Sequence, residues 1–487
     1  MPSNFLFFTA RPTSRRWPAP RSGWRRSLAG AVQSAVCTIA LAGCAIGPNY
    51  QRPDAPMQLA YKEAEGWSKA APAETLERGP WWELFGDPML NDLLGQVEIS
   101  NQNVAIAAAN YAQARALVRE QRAALFPVVS LDGSADRSGG RARGAVSNSY
   151  QASIGASWEP DVWGRLGRAV AGAAASAQAS AADLALARLS AQGELATNYF
   201  AARQTDTQQQ LLQQTIVAYQ RSLEITRNRY AAGIATKTDV LQAQTTLANA
   251  QAEALGLAST RAQYEHAIAV LIGQAPGNFT LAPAQWNPLV PSIPAGVPST
   301  LLERRPDIAG AERRVALANE QIGIAQAAYY PNFGLSASAG SSASRVADLF
   351  NASSTLWSFG LSAAQTLFDA GATRERVAGA RAEHEAAVAR YRQTVLTAFQ
   401  DVENQLSSAQ VLAQQQQYRQ QASVAADEAE QQVLNRYKAG QVSYTDVVTA
   451  QATALSARRA LVQLQADRQT TAVALIQSLG GGWHAEQ

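Results

Sequence analysis

The chain contains one unit twice, and that repeat limits its possible folds more than any other feature. The segment RYAAGIATKTDVLQAQ (Arg229 to Gln244) returns as RYKAGQVSYTDVVTAQ (Arg436 to Gln451), putting Gly233 and Gly440 at an offset of 207 residues. The same offset carries Gly164 onto Gly371 and the AVAGA at Ala169 onto the RVAGA at Arg376. Upstream, the ALFP ending at Pro127 corresponds to the AYYP ending at Pro331, an offset of 204. Two halves of about two hundred residues share one layout, so every element has to be placed twice.

Within each half the hydrophobic period runs from helix to a strand pair and back to helix. After Pro127, Val129, Leu131, Gly133 and Ala135 alternate with Ser130, Asp132, Ser134 and Asp136; then Tyr150, Ala152, Ile154, Ala156 and Trp158 alternate with polar or small residues. The second half repeats this at Phe333, Leu335, Ala337 and Ala339, and at Trp357, Phe359, Leu361 and Ala363. Strands are expected at about 126–136, 149–159, 331–341 and 355–366, paired as two hairpins with Gly/Ser-rich tips. Alternation alone also suits a soluble half-buried sheet. Segment length matching a tilted strand in a bilayer, and aromatics at the ends (Phe126, Tyr150, Trp158, Phe333, Trp357), favour a transmembrane barrel. The polar face reads as small and uncharged, suited to a wet lumen. Four strands cannot close a barrel, and open edges are not tolerated in lipid. Three copies give twelve strands, whereas two leave little lumen.

Residues 164–230 and 372–438 each run without proline, roughly 100 Å if helical throughout. Gly167, Gly172 and Gly193 are candidate breaks in the first. Leu212, Ile216, Tyr219, Leu223 and Tyr230 form a thin apolar stripe among Ala, Gln and charged residues, suited to helices packed as the wall of a hollow cylinder. The repeated RYxAG…TD motif falls at the turn between two helices in each half. Gly233 and Gly440 suit the turn because glycine accepts positive φ. Helices are expected to restart at Thr238 and Asp239, and at Thr445 and Asp446, where an acid complements the helix dipole. The two aspartates therefore read either as helix-start stabilisers or, for Asp446 repeated in three subunits, as an acidic ring that narrows the pore or selects cations.

The first 43 residues hold six arginines and no acid ahead of the apolar run SLAGAVQSAVCTIALAGC, which reads as a secretory signal. Its removal leaves 35 basic against 38 acidic residues, so the basic balance belongs to targeting and nucleic acid is not expected as a partner. Leu41, Ala42, Gly43 and Cys44 resemble a bacterial lipobox, making Cys44 a lipidated mature N-terminus and leaving no disulfide. The divisions read from the chain are 1–43 signal, 44–88 lipidated N-terminal segment, 89–275 first repeat, 276–300 proline-rich linker, 301–479 second repeat and 480–487 tail. The N-terminal segment, linker and tail are expected to pack as a belt outside the helices. No later segment is apolar enough for a membrane helix.

PWWELFGDPMLNDLL (Pro80 to Leu94), the GPNYQRP after Cys44, WEPDVWGRLGR (Trp158 to Arg168) and LLERRPDIAGAERRVALANEQIGIAQAAYYPNFGL (Leu301 to Leu335) resemble the outer-membrane lipoprotein factors of tripartite efflux systems of the resistance-nodulation-division type. The resemblance spans essentially the whole mature chain. It implies a mainly α protein with a transmembrane β-barrel: a homotrimer whose twelve-stranded barrel, four strands per chain, sits on a long periplasmic α-helical barrel. It also implies anchorage in the outer membrane, docking to a periplasmic adaptor and an inner-membrane pump, and no chemistry of its own. By resemblance Asp446 matches a constriction aspartate, while Asp239 and Tyr437 match positions that hold the closed tip by hydrogen bonds, beside Thr238. The chain departs from that pattern at Val442, where a tip arginine is expected, and at Thr449, where a second constriction acid is expected; Arg229 and Arg436 are the available substitutes.

No catalytic or metal constellation is legible. His266, His384 and His484 are scattered, and the HE pair in ARAEHEAAVARY lacks a second histidine. No cofactor is expected beyond the covalent lipid on Cys44. Two other readings share parts of this pattern: a non-conducting coiled-coil lipoprotein, which has no need of bilayer-length strands, and a protein-secretion tunnel, which changes only the cargo.

Overall fold

The computed structural model describes residues 46–56, 60–64, 80–139, 146–293 and 304–481; the signal segment, Cys44 and the last residues of the tail lie outside them. The elements are α1 (Pro88–Ser100), α2 (Gln102–Ala123), β1 (Val128–Ser138), β2 (Ser147–Trp158), α3 (Arg165–Ala231), α4 (Lys237–Leu271), α5 (Pro306–Ala327), β3 (Asn332–Ala343), β4 (Thr355–Ala364), α6 (Ala372–Lys438) and α7 (Tyr444–Ser478). Helix α2 recurs as α5 at offset 204, while α3 and α4 recur as α6 and α7 at offset 207. The three extra residues fall in the second strand hairpin. Among the described residues no helix is long and apolar enough to cross a membrane.

The four strands form one antiparallel sheet in the order β1-β2-β3-β4. Residues paired across an antiparallel ladder share a face, so the register sorts the side chains. Ser130, Gly155, Ser338 and Ser358 lie in one row, and the next carries Asp132, Ser153 and Gly340 with Leu356 at its end. The opposite face carries Leu131, Ile154 and Ala339 with Trp357, then Val129, Ala156, Ala337 and Phe359. Leu131 is 80% exposed and Phe359 68%. The polar face is not uncharged as the pattern suggested: Asp132 and Asp136 both stand on it, and the Ser130 hydroxyl donates to Asp132 at 2.9 Å. A carboxylate is tolerated there because that face is the hydrated one. The strands also run slightly off the expected bounds, β1 to Ser138 and β3 to Ala343.

Below the sheet, α3 and α6 are each continuous over 67 residues. The glycines of α3 do not interrupt it; they let partners approach. A Cβ on Gly172 would lie 3.2 Å from Leu317 of α5, and one on Gly193 would collide with the Gln477 side chain of α7. Leu212, Ile216, Tyr219 and Leu223 are buried, but Tyr230 is 48% exposed.

The largest core lies midway along the helices. PWWELFGDP builds its edge: Trp81 and Phe85 are buried, Gly86 ends their turn at φ 61°, and Asp87 caps α1 by accepting from the Met89 and Leu90 N–H groups. The Tyr199 hydroxyl of α3 donates to the same Asp87 at 2.6 Å. Leu281 and Ile293 of the proline-rich segment are buried in this core. In the ERRPD segment, Arg305 pairs with Asp307 at 2.7 Å and donates to the carbonyl of Ser478, the last residue of α7. A cation at a helix C-terminus is favoured by the dipole, so this motif ties the second half's entry to its exit.

Candidate functional site at the paired helical turns

The two turns that follow α3 and α6 are built alike. Gly233 (φ 73°) and Gly440 (φ 75°) take the left-handed position after the helix. In the first turn, Ile234 N–H donates to the Arg229 carbonyl (2.8 Å) and Gly233 N–H to that of Tyr230 (3.0 Å); Gln441 and Gly440 do the same to Arg436 and Tyr437. This double bond pattern closes each helix and requires a residue free to adopt positive φ. The next helix then begins one residue earlier than the sequence suggested, at Lys237 and at Tyr444. Thr236 and Ser443 are the caps, and Asp239 and Asp446 sit at the third helical position, each in a reciprocal capping box. Asp446 accepts from the Ser443 N–H at 3.0 Å and from its hydroxyl at 2.8 Å; Asp239 accepts from the Thr236 N–H at 3.0 Å. Thr238 lies between cap and acid and is not itself the cap. A carboxylate at this position satisfies a free donor and complements the helix dipole; Asp446 is exposed and Asp239 half-buried.

The turns are joined by Arg229 of α3. Its guanidinium donates to the carbonyls of Tyr437 (3.0 Å) and Lys438 (3.2 Å) at the end of α6 and stands 4.7 Å from the centroid of the Tyr437 ring. Tyr437 packs edge-on against Tyr444 at 5.3 Å, and both are buried with Leu223, Ala243 and Val447. Burial, reinforced by the neighbouring Tyr437, Tyr219 and Asp239, pushes the Tyr444 hydroxyl up to about 12. Within one chain Asp239 and Tyr437 do not bond to each other: the Asp239 carboxylate serves its own cap, and the Tyr437 hydroxyl meets Thr226 at 3.4 Å. Val442, where an arginine was expected, packs against the tyrosine cluster, and the Thr449 hydroxyl bonds back to the Thr445 carbonyl. The sequence marked Arg229 as a substitute without saying for which contact, and gave no sign of Tyr444.

A sheet sorted into apolar and hydrated faces, set on paired helical hairpins of duplicated sequence, defines a membrane channel subunit with a long helical duct. The profile of the outer membrane efflux proteins matches residues 93–274 and 297–481, one stretch per repeat. The chain belongs to this family. It is 32% identical to the solvent efflux pump outer membrane protein SrpC of Pseudomonas putida over 472 residues, covering 92% of this chain and 97% of that one. It is 33% identical to the pyoverdine export outer membrane protein OpmQ of Pseudomonas aeruginosa, over 84% of this chain and 88% of that protein. Among solved structures it matches the outer-membrane channel OprN with a TM-score of 0.84 at 31% identity, covering 90% of this chain and all of that one. It matches the open MtrE channel of Neisseria gonorrhoeae with a TM-score of 0.81 at 28% identity, over 90% of this chain and 98% of that chain. The architecture is that of the family's outer-membrane channels: a trimeric barrel to which each duplicated chain gives four strands, above a helical barrel.

Proposed function

We propose that this chain is the passive exit duct of a tripartite pump, a homotrimer fed through a periplasmic adaptor by an inner-membrane pump, and that its cargo is small molecules. The observation that carries the reading is the sheet: one face is largely apolar, the other largely serine, glycine and aspartate, and among the described residues β1 and β4 each keep an unpaired edge. Such edges in lipid demand neighbouring copies. SrpC and OpmQ are named for solvent efflux and pyoverdine export, which supports small-molecule cargo over whole proteins. The duct carries its cargo without transforming it.

The paired turns are the gate in this reading. Asp446, with Asp239 and Thr238 on the first hairpin, lines the closable end, and Tyr437 anchors the second hairpin to the first through Arg229. Lipidation of Cys44 is part of the same proposal: the Ile46 N–H donates to the Trp163 carbonyl at 3.1 Å, so the chain two residues after Cys44 is already fixed at the foot of β2. Cys44→Ala is expected to abolish incorporation of labelled fatty acid.

Deleting the gene in its own host and following accumulation of an amphiphilic dye tests the transport reading. Accumulation is expected to rise and to return to normal on re-expression; unchanged accumulation would contradict it.

A further inference from the structure

The repeat and the Arg229 contact together specify a bond between neighbouring chains. Arg229 belongs to the first hairpin (α3–α4) and caps the second (α6–α7). In a ring of three duplicated chains the hairpins alternate first, second, first, so the step from a chain's first hairpin to its second resembles the step from that second hairpin to the next chain's first. Shifting the contact by one step replaces Arg229 with Arg436 and Tyr437 with Tyr230, both at the 207-residue offset. We propose that Arg436 of each chain lies over the Tyr230 ring of the partner subunit and donates to the carbonyls of Tyr230 and Ala231 there. This rests on the trimeric arrangement.

Three observations point the same way. Tyr230 is 48% exposed in the single chain whereas its counterpart Tyr437 is 3% exposed, so the first ring lacks the cover that the second has. Arg436 is exposed, whereas Arg229 is committed to its contact across the hairpins. The first hairpin also leaves Val217, Ile234 and Leu241 more than half exposed, apolar surface suited to burial against a second copy.

The copied contact is not identical. Lys237 stands where the second hairpin has Tyr444, and Glu430 where the first has Leu223. The aromatic second layer and apolar floor of the intra-chain cluster are therefore absent, and Arg436 with Tyr230 carries the contact between chains.

The test is thiol cross-linking of the full-length trimer in outer membranes. A short bismaleimide, long enough to span a guanidinium–ring contact, is applied to Tyr230→Cys/Arg436→Cys and, as a control, to Arg229→Cys/Tyr437→Cys. The first pair should give linked dimers and trimers on a denaturing gel; the control should stay at monomer size with an internal bridge found by peptide mapping. Each single cysteine should give neither. A first pair that stays monomeric while the control bridges, in protein that still migrates as a trimer on a native gel, overturns the inter-chain contact and leaves the trimer standing. Migration as a monomer on the native gel overturns the trimeric reading itself. As a second readout, Arg436→Ala should raise single-channel conductance several-fold over Arg436→Lys; equal conductance in the two overturns the role of the planar guanidinium.

Discussion

The guanidinium of Arg229 stands 4.7 Å from the ring of Tyr437 while its Nη1 donates to the carbonyl of the same residue, so one side chain of the first hairpin holds both the side chain and the backbone of the second. The contact combines a cation over an aromatic face with a cation at a helix C-terminus, each favourable and mutually reinforcing. Arg229→Ala should weaken the joint between hairpins by about 2 kcal/mol and raise single-channel conductance. Tyr437→Phe should change little, because the hydroxyl it loses makes only a 3.4 Å contact with Thr226. Tyr437→Leu, which removes the ring, should behave like Arg229→Ala.

Asp446 has two roles that substitution can separate. Asp446→Asn keeps an acceptor for the Ser443 N–H but removes the charge, so cation selectivity should fall with little loss of thermal stability. Ser443→Ala keeps the charge and removes the cap, costing about 1 kcal/mol while selectivity stays. Reversal potentials across a salt gradient, paired with melting curves, distinguish the two; selectivity unchanged in Asp446→Asn would end the acidic-ring assignment.

The faces of the sheet predict which substitutions the barrel tolerates. Leu131→Arg puts a charge on the lipid face and should cost roughly 2–4 kcal/mol near the bilayer midplane, seen as loss of trimer from outer-membrane fractions. Ser153→Arg, on the hydrated face, should assemble and instead shift ion selectivity.

Tyr444 gives the tip a pH limit. Its folded value of about 12 exceeds the ordinary tyrosine value of 10.0, so the unfolded tip loses this proton first. The contribution to stability is whole below pH 10 and is lost as pH rises through 12. Ultraviolet titration of tyrosinate should lose a late step in Tyr444→Phe.

The repeat made most of the helical layout legible, because a duplicated sequence reports each boundary twice: the ends of α3 and α6 fall within a residue or so of the proline-free runs. Strand identity was legible because a period of two leaves no choice of face. Three things were not. The glycines of α3 read as breaks, since local propensity cannot see that Gly172 and Gly193 make room for Leu317 and Gln477. The helix starts read one residue late because the acid was more conspicuous than the Thr236 and Ser443 caps. The Arg229–Tyr437 joint links positions |i−j| = 208 apart, a separation at which local pattern says nothing about contact.

Planar-bilayer recording of the purified trimer tests the central claim most directly, with wild type and Arg229→Ala measured side by side. A duct closed at its helical tip predicts small discrete openings in the wild type and larger, more frequent ones once the joint between hairpins is removed. Trimers that insert into the bilayer and pass no current in either form would contradict it.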